Sequence, residues 1–146
     1  MSDLRRQVDA EKQYIALTLG NLEAVLRRPE RSVVELAAIA AFLHNIYNGI
    51  ENLLKLVCKA NRIEIPSSDT WHKDLLEQAV ARGVISDGVG ESLYDYLAFR
   101  HFFVHGYAFM LNEEQLLPLA EDIAGLYVRF EADVEGFLGG IWITGH

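Results

Sequence analysis

Apolar residues recur along this chain at alternating steps of three and four, the spacing that gathers them on one face of an α-helix. No stretch alternates with the period of two that a half-buried strand requires. The first stretch runs from about Leu4 to Arg28, with Ile15, Leu19, Leu22 and Leu26 in step and Pro29 ending it. Ser32 is placed to cap a long second helix, whose seam of Leu36, Ala40, Leu43, Tyr47, Ile50, Leu54 and Val57 continues to about Asn61. The turn-forming run from Ile65 to Thr70 precedes a short third helix carrying Trp71, Leu75, Leu76, Ala79 and Val80 and ending at Gly83. Ser86-Asp87-Gly88 opens a fourth, and Leu116, Ala120, Ile123, Tyr127, Phe130, Val134, Phe137 and Ile141 mark a fifth. Pro118 fits that helix if it starts near Glu114, because first-turn amides have no intrahelical acceptor to lose; a start at Asn112 implies a kink. Amphipathic helices with short connections predict an all-α antiparallel bundle of four to five helices. With no linker or internal repeat, residues 1–146 read as a single domain.

Charge narrows the partners. The 146 residues carry 13 Lys and Arg against 21 Asp and Glu, a formal net charge of −8. Binding to polyanions ordinarily requires a basic face that displaces counterions from phosphates, so any nucleic-acid contact here must be local. The high apolar content excludes disorder, and no uninterrupted apolar run reaches the roughly 18 residues that cross a bilayer. The N-terminus mixes charged and apolar residues where a secretory signal carries an apolar segment, so the expected location is cytoplasmic, away from membranes. The single cysteine, Cys58, has no internal disulfide partner and reads as a small buried thiol.

The fourth helix breaks its own pattern. Its seam runs Leu93, Leu97, Arg100, Val104, Tyr107, Leu111, which sets an arginine and a tyrosine where apolar residues are expected. Phe99, Phe102, Phe103 and Phe109 add more apolar surface than one seam needs, consistent with one thick core or with a second buried face such as a dimer contact. At about 100° per residue, Arg100 and Tyr107 lie within roughly 20° of each other, but Arg100 and His105 are roughly 140° apart. These three converge only if the helix distorts near Gly106 or a second chain supplies the missing partner across a two-fold axis. A permanently charged guanidinium can hold a phosphate through two hydrogen bonds, and an imidazole can exchange a proton at neutral pH. Such a pair suits cleavage of RNA by its own 2′-hydroxyl, without a metal, leaving a 2′,3′-cyclic phosphate.

Competing readings exist for each residue. Arg100 could be a structural arginine paired with Asp95 or a carboxylate on the second helix. His101 and His105 have the spacing of two zinc ligands on a helix, but Phe102-Phe103-Val104 between them lacks a metalloprotease glutamate, so no metal site is expected. His72, following Trp71, reads as packing at a helix start. On the second helix His44, Asn48, Glu51 and Lys55 form a polar stripe, read as a solvated face, from which Glu51 is the candidate to orient Arg100.

The arrangement arginine, four residues, histidine, one residue, tyrosine at Arg100, His105 and Tyr107 is expected by chance roughly 0.01 times in a chain of this composition. It resembles the signature of HepT-like toxins of the HEPN superfamily of helical ribonucleases. The context Phe99-Arg100-His101-Phe102-Phe103-Val104-His105, with a polar residue directly after the arginine, is similar to theirs, as are the segment Trp71-His72-Lys73-Asp74-Leu75-Leu76 and the helix order. The resemblance implies that Arg100 and His105 are the ribonuclease pair beside a homodimer cleft; His101 and Glu51 are read from their positions as candidate supporting residues, outside the catalytic set, and no cofactor is expected. It also implies that a minimal nucleotidyltransferase antitoxin silences the toxin by adding AMP to Tyr107. One departure is Gly106, where the family pattern has a larger residue. Residues 97–111 contain one arginine, two histidines and no carboxylate, so this strip is locally positive on an acidic chain. The function so implied is that of a metal-independent endoribonuclease toxin. The alternative is a non-catalytic HEPN module that binds a nucleotidyltransferase partner or a nucleotide.

Overall fold

In the computed structural model, which describes residues 3–106 and 112–144 with side chains up to residue 139, the periodic stretches become helices, with no strand among the described residues. They are α1 (Asp3–Leu26), α2 (Val33–Ala60), α3 (Trp71–Ala81), α4 (Asp87–Val104) and α5 (Glu113–Thr144). The all-α bundle expected from periodicity is therefore observed. Most seam positions of α2 and α5 are buried, among them Leu43, Tyr47, Ile50, Leu54, Val57, Leu116, Ile123, Phe130 and Val134.

α2 is the central helix and packs against all four others. Its start is fixed by a capping box: Ser32 Oγ accepts from the Val34 amide at 3.2 Å, and the Glu35 carboxylate accepts from the Ser32 amide at 3.3 Å. Gly49 lets α1 close onto it, since a Cβ there would stand 2.6 Å from Ile15 Cγ1. By length and mean hydropathy α2 is apolar enough to cross a bilayer, which counting uninterrupted runs did not reveal. Its apolar residues here form the bundle core.

α1 is also held to α5 by charge. The Arg5 guanidinium donates to both oxygens of Glu135 at 3.0 and 2.7 Å, and Lys12 reaches the same carboxylate. These groups are partly exposed, so they set orientation more than they add stability.

α4 departs from the predicted seam in two ways. Its buried residues are Val89, Gly90, Leu93, Tyr96 and Phe99, while Leu97 is only partly buried and Val104 is 47% exposed. The helix is apolar on several sides, so periodicity alone does not fix which side faces inward. It also stops earlier than the pattern suggests: His105 is the C-cap and Gly106 turns the chain with φ +81°, a conformation open to glycine at little cost. The helix that carries Arg100 therefore ends at Val104, and Tyr107, which the seam placed in line with Arg100, lies outside the described residues.

α5 begins at Glu113, one residue before the predicted start. Asn112 precedes it, with its side-chain oxygen accepting from the Gln115 amide at 2.9 Å and its carbonyl accepting from the Leu116 amide at 3.1 Å. Pro118 thus falls in the second turn, where it lacks the N–H that would meet the Glu114 carbonyl. Tyr96 ties α4 to this region by donating its hydroxyl proton to the Leu119 carbonyl at 2.7 Å.

Candidate functional site

The polar stripe on α2 points inward, and this corrects its reading as a solvated face. His44 and Asn48 are partly buried, Glu51 is 2% exposed, and only Lys55 faces solvent. A polar residue survives inside a bundle when another element brings it a partner. Here α3 and α4 bring two.

From α4, half-buried Arg100 donates through Nε to the side-chain oxygen of Asn48 at 3.4 Å, a long hydrogen bond. The partner is an amide, not the carboxylate considered from the sequence, so the guanidinium charge is oriented without being neutralised. The Asn48 amide in turn donates from Nδ2 to His44 Nε2 at 3.0 Å. Acceptance at Nε2 places the proton of neutral His44 on Nδ1, a buried atom with no hydrogen-bond partner among the described residues. The ring also stacks on Phe103, 4.8 Å between centroids. Burial lowers the His44 pKa, the Arg100 charge lowers it further, and Glu51 opposes them. A neutral His44 is what the hydrogen-bond direction requires.

From α3, His72 reaches Glu51, with Nδ1 2.8 and 2.9 Å from the two carboxylate oxygens. Glu51 is therefore the partner of His72, and the residue that orients Arg100 is Asn48. Nothing in the local sequence links positions 51 and 72, because the contact is made across two helices. Trp71 stacks on the His72 ring at 3.6 Å, and Lys55 Nζ lies 4.8 Å from the Trp71 ring centre. The Tyr47 hydroxyl is sealed beneath this layer. Burial first, and then the nearby Glu51 charge, push its pKa far above the ordinary range.

His105 lies at the exposed C-terminal end of α4. Its Nδ1 donates to the His101 carbonyl at 2.7 Å, which in the neutral ring leaves Nε2 as the acceptor nitrogen. The His101 ring, also exposed, lies 4.1 Å from it between centroids. No group of three His, Cys, Asp or Glu side chains among the described residues is arranged to hold a metal. Tyr107, the expected modification site, lies outside the described residues, as do Phe109 and Leu111.

The chain thus joins an inward-anchored arginine and a tautomerically fixed histidine on the last turns of one helix in an all-α bundle. The class defined by the fold is an all-α helical bundle. A family model described as HepT-like protein matches residues 38–141, well over half of the chain and spanning α3, α4 and nearly all of α2 and α5. The chain belongs to the HepT-like family. No curated protein and no solved structure matches it.

Proposed function

We propose that this protein is a metal-independent endoribonuclease, the toxin of a toxin–antitoxin pair, with Arg100 and His105 as its catalytic residues. The observation that carries the reading is the Asn48 contact, which steadies the Arg100 guanidinium through Nε and leaves its charge uncompensated by any ion pair among the described residues. Such a group suits a phosphate. His105, with its proton directed to the His101 carbonyl, offers Nε2 as a base.

In the proposed reaction the imidazole removes the proton of a ribose 2′-hydroxyl, and the 2′-oxygen bonds to the adjacent phosphorus. The bond from phosphorus to the 5′-oxygen breaks and that oxygen takes up a proton, giving a 2′,3′-cyclic phosphate and a 5′-hydroxyl. Arg100 stabilises the charge on the non-bridging oxygens. The two side chains leave α4 roughly 140° apart, so a homodimer that pairs Arg100 of one copy with His105 of the other completes the site. Silencing by a nucleotidyltransferase antitoxin that adds AMP to Tyr107 would put a phosphodiester and a base two residues beyond His105. Mass spectrometry of the chain treated with that partner and ATP tests this step: AMP on Tyr107 is expected, and AMP on another tyrosine removes the assigned role.

The inward course of Arg100 gives a second reading a specific basis, namely a HEPN module that binds its nucleotidyltransferase partner and cuts nothing. Incubation of purified protein with RNA in EDTA separates the two. The nuclease reading expects cyclic-phosphate ends that His105→Ala abolishes without unfolding the protein.

A further inference from the structure

An acidic protein that acts on RNA needs a local place for the polyanion, and α2 provides one beyond the Arg100 site. Where this helix ends, a cleft of about 850 Å³ is lined by Lys55, Lys59 and Arg62, with Glu64, Ile65 and Gln78 among its other walls. Three cations face one carboxylate there, on a chain whose formal net charge is −8. Elsewhere Arg5, Arg6, Lys12, Arg31 and Lys73 are engaged with carboxylates, whereas Arg27, Arg28, Arg82 and Arg129 have no ion pair among the described residues but do not line this cleft. Among the described residues none of the three cleft cations has such a partner; Lys55 instead lies over the Trp71 ring at 4.8 Å.

Backbone geometry adds a separate observation. Arg62 has φ +57° at the position just past the α2 cap, where glycine or asparagine is usual. The turn is closed by Ile63 N donating to Cys58 O at 2.9 Å and Arg62 N donating to Lys59 O at 3.3 Å, so a cationic side chain is held where glycine would cost less. Lys55 and Lys59 continue the stripe of His44, Asn48 and Glu51.

We propose that this cleft is a docking site for the phosphate backbone of single-stranded RNA, with Lys55, Lys59 and Arg62 as its phosphate contacts. The proposal rests on the ribonuclease reading for its ligand. It resolves the conflict between acidic composition and an RNA substrate: most of the surface repels the strand, and one cationic cleft receives it.

The test uses the full chain and a labelled single-stranded RNA of roughly 12 nucleotides, 2′-O-methylated so that it cannot be cleaved. Binding is measured against salt concentration. Each phosphate contact on a single strand contributes about 0.7 to the slope of log K against log salt, so Lys55→Gln/Lys59→Gln/Arg62→Gln should lower that slope by about 2 and weaken binding on the order of 100-fold near 0.1 M salt. Lys59→Gln alone, at an exposed position, should lower it by about 0.7, which keeps the test valid if the triple variant unfolds. Arg27→Gln/Arg28→Gln removes two exposed cations outside the cleft and should leave the slope unchanged. On cleavable RNA, the loss in the triple variant should fall on KM more than on kcat. A wild-type slope in the folded triple variant, or an equal loss in the Arg27/Arg28 control, overturns the proposal, as does loss of binding to an acidic protein partner with RNA binding intact. If wild type cleaves RNA and the cleft variants bind it normally, this proposal fails while the nuclease reading stands. If wild type binds through the cleft but never cleaves, the docking site stands and the nuclease reading fails.

Discussion

Asn48 on α2 and Arg100 on α4, 52 positions apart in sequence, meet through a single hydrogen bond from the guanidinium Nε to the amide oxygen. The amide is held the right way round by His44, which accepts from its Nδ2. Asn48→Leu keeps the branched side-chain skeleton, with somewhat more volume, and removes both bonds. Its expected effect is a loss of RNA cleavage on the order of 10- to 100-fold, because a misplaced guanidinium loses transition-state contact, with a melting temperature within a few degrees of wild type. Kinetics paired with thermal melts check this; unchanged cleavage would show that Arg100 needs no such support.

His44 carries the pH dependence that the fold predicts. Its folded pKa is lowered, first by burial and next by Arg100, with Glu51 opposing. The unfolded chain therefore binds more protons than the native one, and stability rises with pH in the window between the lowered pKa and about 6.5. Above the unfolded value the contribution is complete; it is lost as pH falls through the window. Histidine NMR should show His44 titrating below the free-histidine value in its Nδ1–H tautomer. His44→Gln should flatten the acid side of the stability profile, and a normally titrating His44 contradicts the assigned hydrogen-bond direction.

The Glu51–His72 pair predicts an asymmetry. His72→Ala leaves a carboxylate that is 2% exposed without its partner, which should cost about 3 kcal/mol, the low end for orphaning a buried charge because His72 itself is partly exposed. Glu51→Gln keeps a hydrogen-bonding oxygen beside His72 and should cost only about 1 kcal/mol. Urea unfolding of both variants measures the difference, and equal costs would mean that Glu51 is not relying on His72.

Gly106 should resist replacement. With φ +81°, an alanine there is strained by about 1 kcal/mol, although a Cβ would meet nothing within 4 Å. Relief of that strain shifts the last turn of α4, so Gly106→Ala should lower cleavage more than its small stability loss explains. Retained activity would show that the chain reversal after His105 is not needed for function.

Much of this architecture was legible in the chain. The spacing of Leu43, Tyr47, Ile50, Leu54 and Val57 defines one buried side of α2, and Ser32 announces its start. The rotation of α4 was not legible, because Phe99, Phe102, Phe103 and Val104 spread apolar surface around the helix and leave its phase to tertiary packing. Nor was the end of α4: Gly106 is a recognisable stop, but the apolar run that follows it continues the period. The motif pointed to Arg100 and His105, whereas the partners of Arg100 and Glu51 lie on other helices. A polar residue on a helix is solvated or buried according to what crosses it, and Asn48, Glu51 and His72 acquire their roles only when α3 and α4 cover α2.

The most direct measurement is end-group analysis of RNA incubated with the purified protein in EDTA, with Arg100→Gln and His105→Ala run alongside the wild type. The nuclease account predicts 2′,3′-cyclic phosphate and 5′-hydroxyl ends from wild type, at least 100-fold less from either folded variant, and partial recovery when the two variants are mixed and form a dimer with one intact Arg100–His105 pair. Intact RNA after incubation with folded wild-type protein, or cleavage that survives loss of either side chain, would contradict it.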